Sequence, residues 1–258
     1  MADQELRIEV AESDAWSRLR RLTPARIGIG HSGGSLPTHA HLAFQLAHAR
    51  ARDAVLERLD VGTLAHRITA LGIETLTLRS AAPDRAAFLQ RPDLGRRLDP
   101  ASRDRIVSTL SGRAAPDLCL VVSDGLSARA AERYAPVLLA ALLPRLREEG
   151  WGMAPVVVVE QGRVAIGDEI GAACRASLAA VLLGERPGLS SPDSLGLYVT
   201  WHPEPGRRDS DRNCISNVRP EGLPPELAAE RLHFLLTEAR RRRLTGVALK
   251  DDSRLLRE

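Results

Sequence analysis

Aromatic side chains are scarce, 3% of 258 residues, so there are few flat rings on which the bases of a single strand could stack. Cysteine is scarcer still. Cys119, Cys174 and Cys214 are odd in number, far apart and form no Cys-x-x-Cys, which argues against a disulfide framework or a zinc knuckle and for a reducing cytosol. No uncharged stretch is long enough for a membrane span, and the polar, acidic start Met1-Ala-Asp-Gln-Glu-Leu is unlike a signal sequence. A dominant charge is missing as well: 36 basic and 33 acidic residues are interspersed and leave a formal +3, too weak a bias for a nucleic-acid partner.

What is present is apolar content, 44%, enough to bury a substantial core in one large domain or two smaller ones. The first 60 or so residues read as helical. From Thr38 onward Phe44, Ala47, Ala51, Ala54 and Val55 recur at three- and four-residue steps, an apolar stripe that must pack on something, and a second periodic stretch covers Val61 to Leu71. Strand and helix then alternate. Thr75–Leu78, Leu118–Val122, Pro155–Val159 and Leu178–Leu183 read as strands, with a less regular fifth at Leu195–Trp201. The later runs are continuously apolar rather than alternating, as in a parallel sheet covered on both faces. Ser127 to Glu149 has helical period, with Pro136 expected to start a second segment and Gly150 to supply a left-handed cap. A last helix begins near Pro224 and Pro225, buries Ala228, Leu232, Leu235, Leu236 and Ala239, and ends in Arg240 to Arg243, where cations complement the helix dipole. The expected architecture is α/β: a Rossmann-like, mostly parallel sheet flanked by helices over residues 73–258, preceded by a small helical region over residues 1–72.

Several motifs invite a chemical reading. Gly28, Gly30 and Gly33 spell Gly-x-Gly-x-x-Gly with Asp53 twenty residues beyond, but the residues before them, Arg20 to Arg26 with Pro24 among them, are no buried strand, so a glycine loop is the better reading than a dinucleotide site. His31, His39, His41 and His48 cluster, yet His39 and His41 are two apart and leave a helix on different sides, which argues against a shared metal. Ser123-Asp124-Gly125 and Gly184-Glu185-Arg186-Pro187-Gly188 both follow strands, and in open α/β sheets ligands gather at such carboxyl ends. The first is more ordinarily a turn, and without Gly-x-Ser-x-Gly no nucleophilic serine is implied. In the second, glycines let backbone approach a flat ligand while Glu185 accepts its hydrogens. Cys214, in Asp211-Arg-Asn-Cys-Ile-Ser-Asn217, reads on its own as a buried core cysteine in a polar segment.

Taken in order, Arg91-Pro-Asp-Leu-Gly-Arg-Arg-Leu98, Val122-Ser-Asp-Gly-Leu-Ser127, Gly162-Arg-Val164, Gly184-Glu-Arg-Pro-Gly-Leu189 and Asn213-Cys-Ile-Ser-Asn217 resemble the light subunit of ethanolamine ammonia-lyase, as do Thr23-Pro-Ala-Arg-Ile27 and the segment Phe44 to Arg52. The likeness runs from about residue 16 to 245. It implies one chain of an adenosylcobalamin-dependent lyase that converts ethanolamine to acetaldehyde and ammonia, in a hetero-oligomer whose large (heavy) subunit binds ethanolamine. The corrinoid would lie between the two chains. The resemblance places cofactor contacts at Val164, Glu185 and Cys214 and no catalytic residue on this chain; by the residues alone Glu185 stands out, Cys214 is ambiguous and Val164 goes unnoticed. No histidine has an aspartate two residues before it, so the Asp-x-His-x-x-Gly motif that replaces the cofactor's own base is lacking, and dimethylbenzimidazole is expected to stay on cobalt. Some family members carry a long amphipathic N-terminal extension for a bacterial microcompartment; only about fifteen residues precede the matching region here, so a cytoplasmic protein is expected. A free-standing cobalamin- or nucleotide-binding module is the alternative.

Overall fold

The computed structural model describes residues 14–252 apart from 24 and 32; the residues before 14 that were read as helical, and Pro24, lie outside it. Its strands are β1 (Thr75–Arg79), β2 (Leu118–Ser123), β3 (Val156–Glu160), β4 (Leu178–Gly184), β5 (Leu195–Trp201) and β6 (Arg212–Val218). They form one six-stranded sheet in the order β1-β3-β2-β4-β5-β6. The first four are mutually parallel, β5 runs against β4, and β6 runs against β5. Every residue of β2 and β4 is buried, the consequence of continuous apolar runs that need cover on both faces.

The helices are α1 (Asp14–Arg20), α2 (Thr38–Leu56), α3 (Val61–Thr69), α4 (Arg85–Gln90), α5 (Pro100–Leu110), α6 (Ala128–Glu148), α7 (Ile166–Cys174) and α8 (Pro225–Arg242). On one face of the sheet α3, α6 and α8 pack Leu64, Ile68, Leu138, Leu142, Leu232 and Leu236 against Leu120, Val158, Leu182 and Leu197. On the other, α5 and α7 pack Ile106, Leu110, Ile166 and Ile170 against Val121, Val157 and Val181. Each fully buried leucine or isoleucine contributes about 1.5–3 kcal/mol over its exposed state.

Two expectations are corrected. Pro136 starts no second segment: α6 runs through it and through Pro144 without a break. Proline deprives the carbonyl four residues back of its helical donor, but here the Glu132 carbonyl accepts from Arg67 Nη1 at 2.5 Å instead. The polar segment around Cys214, read as holding a buried core cysteine, is the edge strand β6, and Cys214 is exposed on it. Gly150 does cap α6, at φ +68°, with Trp151 N donating to Leu146 O and Gly150 N to Arg147 O. The apolar positions expected of α8 are all buried and its last turn is Arg240 to Arg242. In α2, by contrast, only Ala54 is buried and Phe44 lies exposed.

Beyond β6 the chain covers its own sheet edge. Asn213 Nδ2 donates to the carbonyls of Gly246 and Leu249, and Gly246 N donates back to Asn213 Oδ1 at 2.8 Å. Among the described residues no helix is long and apolar enough to cross a membrane.

Candidate functional site

The chain leaves β2 through α6 on one face and leaves β3 through α7 on the other, so the loops after these neighbouring strands part at their carboxyl ends, where an open α/β sheet forms a crevice. The Ser123-Asp124-Gly125 turn forms one lip. Asp124 is almost fully buried and accepts from Arg85 Nη1 at 2.9 Å, from Gln161 N at 2.6 Å and from Ser123 Oγ at 3.1 Å. Burial pushes its carboxyl up to about 6, against the opposing pull of the Arg85 charge and the Gln161 N–H. The same Arg85 guanidinium reaches the carbonyls of Gly125 and Val55, tying the end of α2 to this lip. Gly125 is required where it stands: its φ is +50°, a Cβ there would strike the Gly184 carbonyl, and that carbonyl accepts from Leu126 N.

Two cavities open along this rim. One, of about 400 Å³, is lined by Gly125, Leu126, Gly184, Glu185, Arg186 and Tyr198. The other, of about 500 Å³, is lined by Val164, Ala165 and several arginines. They share Arg163 and Leu183. Glu185 follows directly on β4. Its Oε2 accepts from Ser194 Oγ at 2.6 Å and from Asn217 N at 3.1 Å, while Oε1 makes no hydrogen bond among the described residues and is free to accept from a ligand. Cys214 is exposed rather than in the core, and sits opposite Tyr198 in the β5–β6 register. Burial by its neighbours pushes the thiol up, with the Tyr198 hydroxyl hydrogen bond pulling it back and the Glu185 charge adding to the rise. Tyr198 is itself pushed upward by burial and then by the nearby Cys214 and Glu185. Val164 is half-buried in the loop before α7 and packs on the core formed by α5 and α7.

Of the three candidate residues, Glu185 lines one cavity with Tyr198 and Val164 lines the neighbouring one, while Cys214 is in the lining of neither and stands across the strand pair from Tyr198. Sequence reading missed Tyr198, Arg163 and Arg85. Tyr198 is hidden inside a strand, but Arg163 adjoins Val164 in a motif already singled out. The other candidates lie elsewhere. Gly28, Gly30 and Gly33 all have positive φ, in a segment with no strand before it, and Asp53 ion-pairs loosely with Arg52 at 3.8 Å. His41 bonds Gln45 and His48 stacks on Phe44; no three metal-binding side chains gather among the described residues.

Fold and rim together define an α/β protein with cavities at the carboxyl ends of its parallel strands. The family model described as ethanolamine ammonia-lyase light chain (EutC) matches residues 13–250. Curated relatives named ethanolamine ammonia-lyase small subunit include one from Azotobacter vinelandii (strain DJ), 55% identical over 96% of this chain and 92% of its own length. Others come from Pseudomonas aeruginosa (strain LESB58), 53% identical over 98% and 93%, and Xanthomonas campestris pv. campestris (strain B100), 52% identical over 93% and 89%. The chain belongs to the ethanolamine ammonia-lyase light chain family.

Proposed function

We propose that this chain is the small subunit of an adenosylcobalamin-dependent ethanolamine ammonia-lyase, supplying one wall of a cofactor pocket that a large, catalytic subunit completes. Membership of the light chain family supports the activity and the heavier partner. The observation that carries the cofactor site is the pair of linked cavities at the strand tips, used in the Rossmann-like manner at the switch point, with Val164 in one and Glu185 in the other. Their chemistry fits a corrinoid. Glu185 Oε1 and the Tyr198 hydroxyl suit peripheral amides, Leu126 and Leu183 offer apolar cover, and Arg163 Nε and Arg212 Nε are buried and donate no hydrogen bond.

When bound, the cofactor supplies the radical chemistry of carbon–nitrogen cleavage. This chain's own residues bind and orient it and exclude water from one side. Residues 73–258 carry that task, and the helical region before residue 73 presents the exposed apolar side chains of α1 and α2, Trp16, Leu19, Leu42, Phe44 and Leu46 among them, to the large subunit. A cytoplasmic setting is supported by cysteine usage, three residues far apart in sequence with no Cys-x-x-Cys. Co-purification with a large subunit, followed by a cofactor-loaded structure of the complex, tests the proposal: corrin within contact of Val164, Glu185 and Cys214 is expected, and corrin remote from all three ends it.

A further inference from the structure

The cavity beside Val164 carries an unbalanced positive charge. Arg96, Arg163, Arg207, Arg208 and Arg212 line it, against a single lining carboxylate, Asp209, whose side chain is fully exposed. Arg212 is neutralised from behind by Asp168, to which it donates from both Nη atoms, and is braced by Thr200 Oγ1 at 2.9 Å. Arg207 is turned to the His202 carbonyl at 2.8 Å. Arg96 and Arg208 are exposed and make no ion pair among the described residues. Arg163 lies 4.2 Å over the Phe88 ring, and burial, followed by repulsion from Arg85 and Arg96, pushes its guanidinium below its ordinary value. Its Nη2 donates to the Phe88 carbonyl at 3.2 Å while its Nε is buried and makes no hydrogen bond; Arg212 Nε likewise makes none, though Asp209 Oδ1 stands 3.9 Å from it. Helix α7 also begins on this wall at Ala165, adding the positive end of its dipole.

Two guanidinium forks without an ion pair, Arg96 and Arg208, beside the partly satisfied Arg163 in one concave site suit one ligand chemistry, a phosphate ester, whose oxygens accept paired N–H bonds. We propose that this cavity is a phosphate-ester site and that its occupant in the holoenzyme is the phosphodiester of the cofactor's nucleotide tail. This rests on the cobalamin reading above. The two cavities adjoin at Arg163 and Leu183, so an extended molecule lying over that border would put its amides at Glu185 and its phosphate among the arginines.

The test uses the complex with the large subunit and the double variant Arg96→Ala/Arg208→Ala, two exposed side chains whose loss leaves the core intact. Equilibrium binding is measured for adenosylcobalamin, for adenosylcobinamide, which lacks the phosphate and everything beyond it, and for inorganic phosphate. The expected result is adenosylcobalamin bound about tenfold more weakly by the variant, from the loss of charge-assisted bonds, with adenosylcobinamide unchanged and the protein's affinity for phosphate lost. Equal weakening of both corrinoids, or none, overturns the proposal while leaving the cofactor reading intact. If the unaltered complex binds neither corrinoid but its phosphate affinity still depends on these arginines, the cofactor reading and the nucleotide-tail assignment fall, and the phosphate-ester site remains.

Discussion

Arg212 and Asp168 meet as a two-pronged ion pair, Nη1 to Oδ1 at 2.5 Å and Nη2 to Oδ2 at 2.6 Å, with both side chains almost wholly out of solvent. The pair clamps β6 to the first turn of α7. Removing one partner strands the other as a buried charge, so Asp168→Ala is expected to cost about 3–5 kcal/mol. Asp168→Leu combined with Arg212→Met should recover most of that loss, as read by urea denaturation of the full chain.

Asp124 confers a pH dependence of definite sign. Its folded carboxyl, near 6, lies above the unfolded value of 3.8, so the native state holds a proton that the unfolded chain releases. Its contribution is fully present below pH 3.8 and is lost as pH rises through 6, on the order of 3 kcal/mol at about 1.36 kcal/mol per pH unit. Asp124→Asn abolishes this dependence. The stability difference between the unaltered chain and the variant, followed from pH 4 to pH 7 by thermal denaturation, should therefore shift against the unaltered chain; a difference flat in pH refutes the assignment.

The proline inside α6 makes a prediction by coupling. Arg67→Ala takes the donor from the Glu132 carbonyl and should cost about 1 kcal/mol. With Pro136→Ala in place the helix regains its own N–H for that carbonyl, and the cost of Arg67→Ala should shrink. A double-mutant cycle measures the difference.

Glu185→Ala is expected to weaken adenosylcobalamin binding to the complex about tenfold, the scale of a lost charge-assisted bond. A subunit with a purely architectural role would show unchanged affinity in Glu185→Ala and Cys214→Ala alike. The purified chain alone should release no ammonia from ethanolamine and gain that activity only with the large subunit and cofactor; turnover by the single chain would refute the division of labour.

The strands most legible in the sequence were those buried on both faces, β2, β3 and β4, because an uninterrupted apolar run has few other homes. β6 was not legible. It has one face on the core through Ile215 and Val218, its other face carries Cys214 and Ser216, and an irregularity opposite Leu195 and Leu197 breaks the alternation that would betray a strand. The α6 break was expected because proline's cost is local, whereas the compensating donor, Arg67, lies far away in sequence on α3. At the rim, Glu185 stood out because glycines flank it at a strand end. Cys214 did not, since its setting depends on pairing with Tyr198 across two strands.

Every open sheet must do something about the outermost ribbon of unpaired amides, which in a crowded cell is an invitation for another chain to zip on. Here the Asn213 carboxamide acts as a clasp, holding the Gly246–Leu249 segment alongside β6. Stickiness at that border therefore depends on a side chain next in sequence to Arg212 of the arginine cavity, and a chain that loses the clasp would be expected to self-associate through β6 before it loses its core.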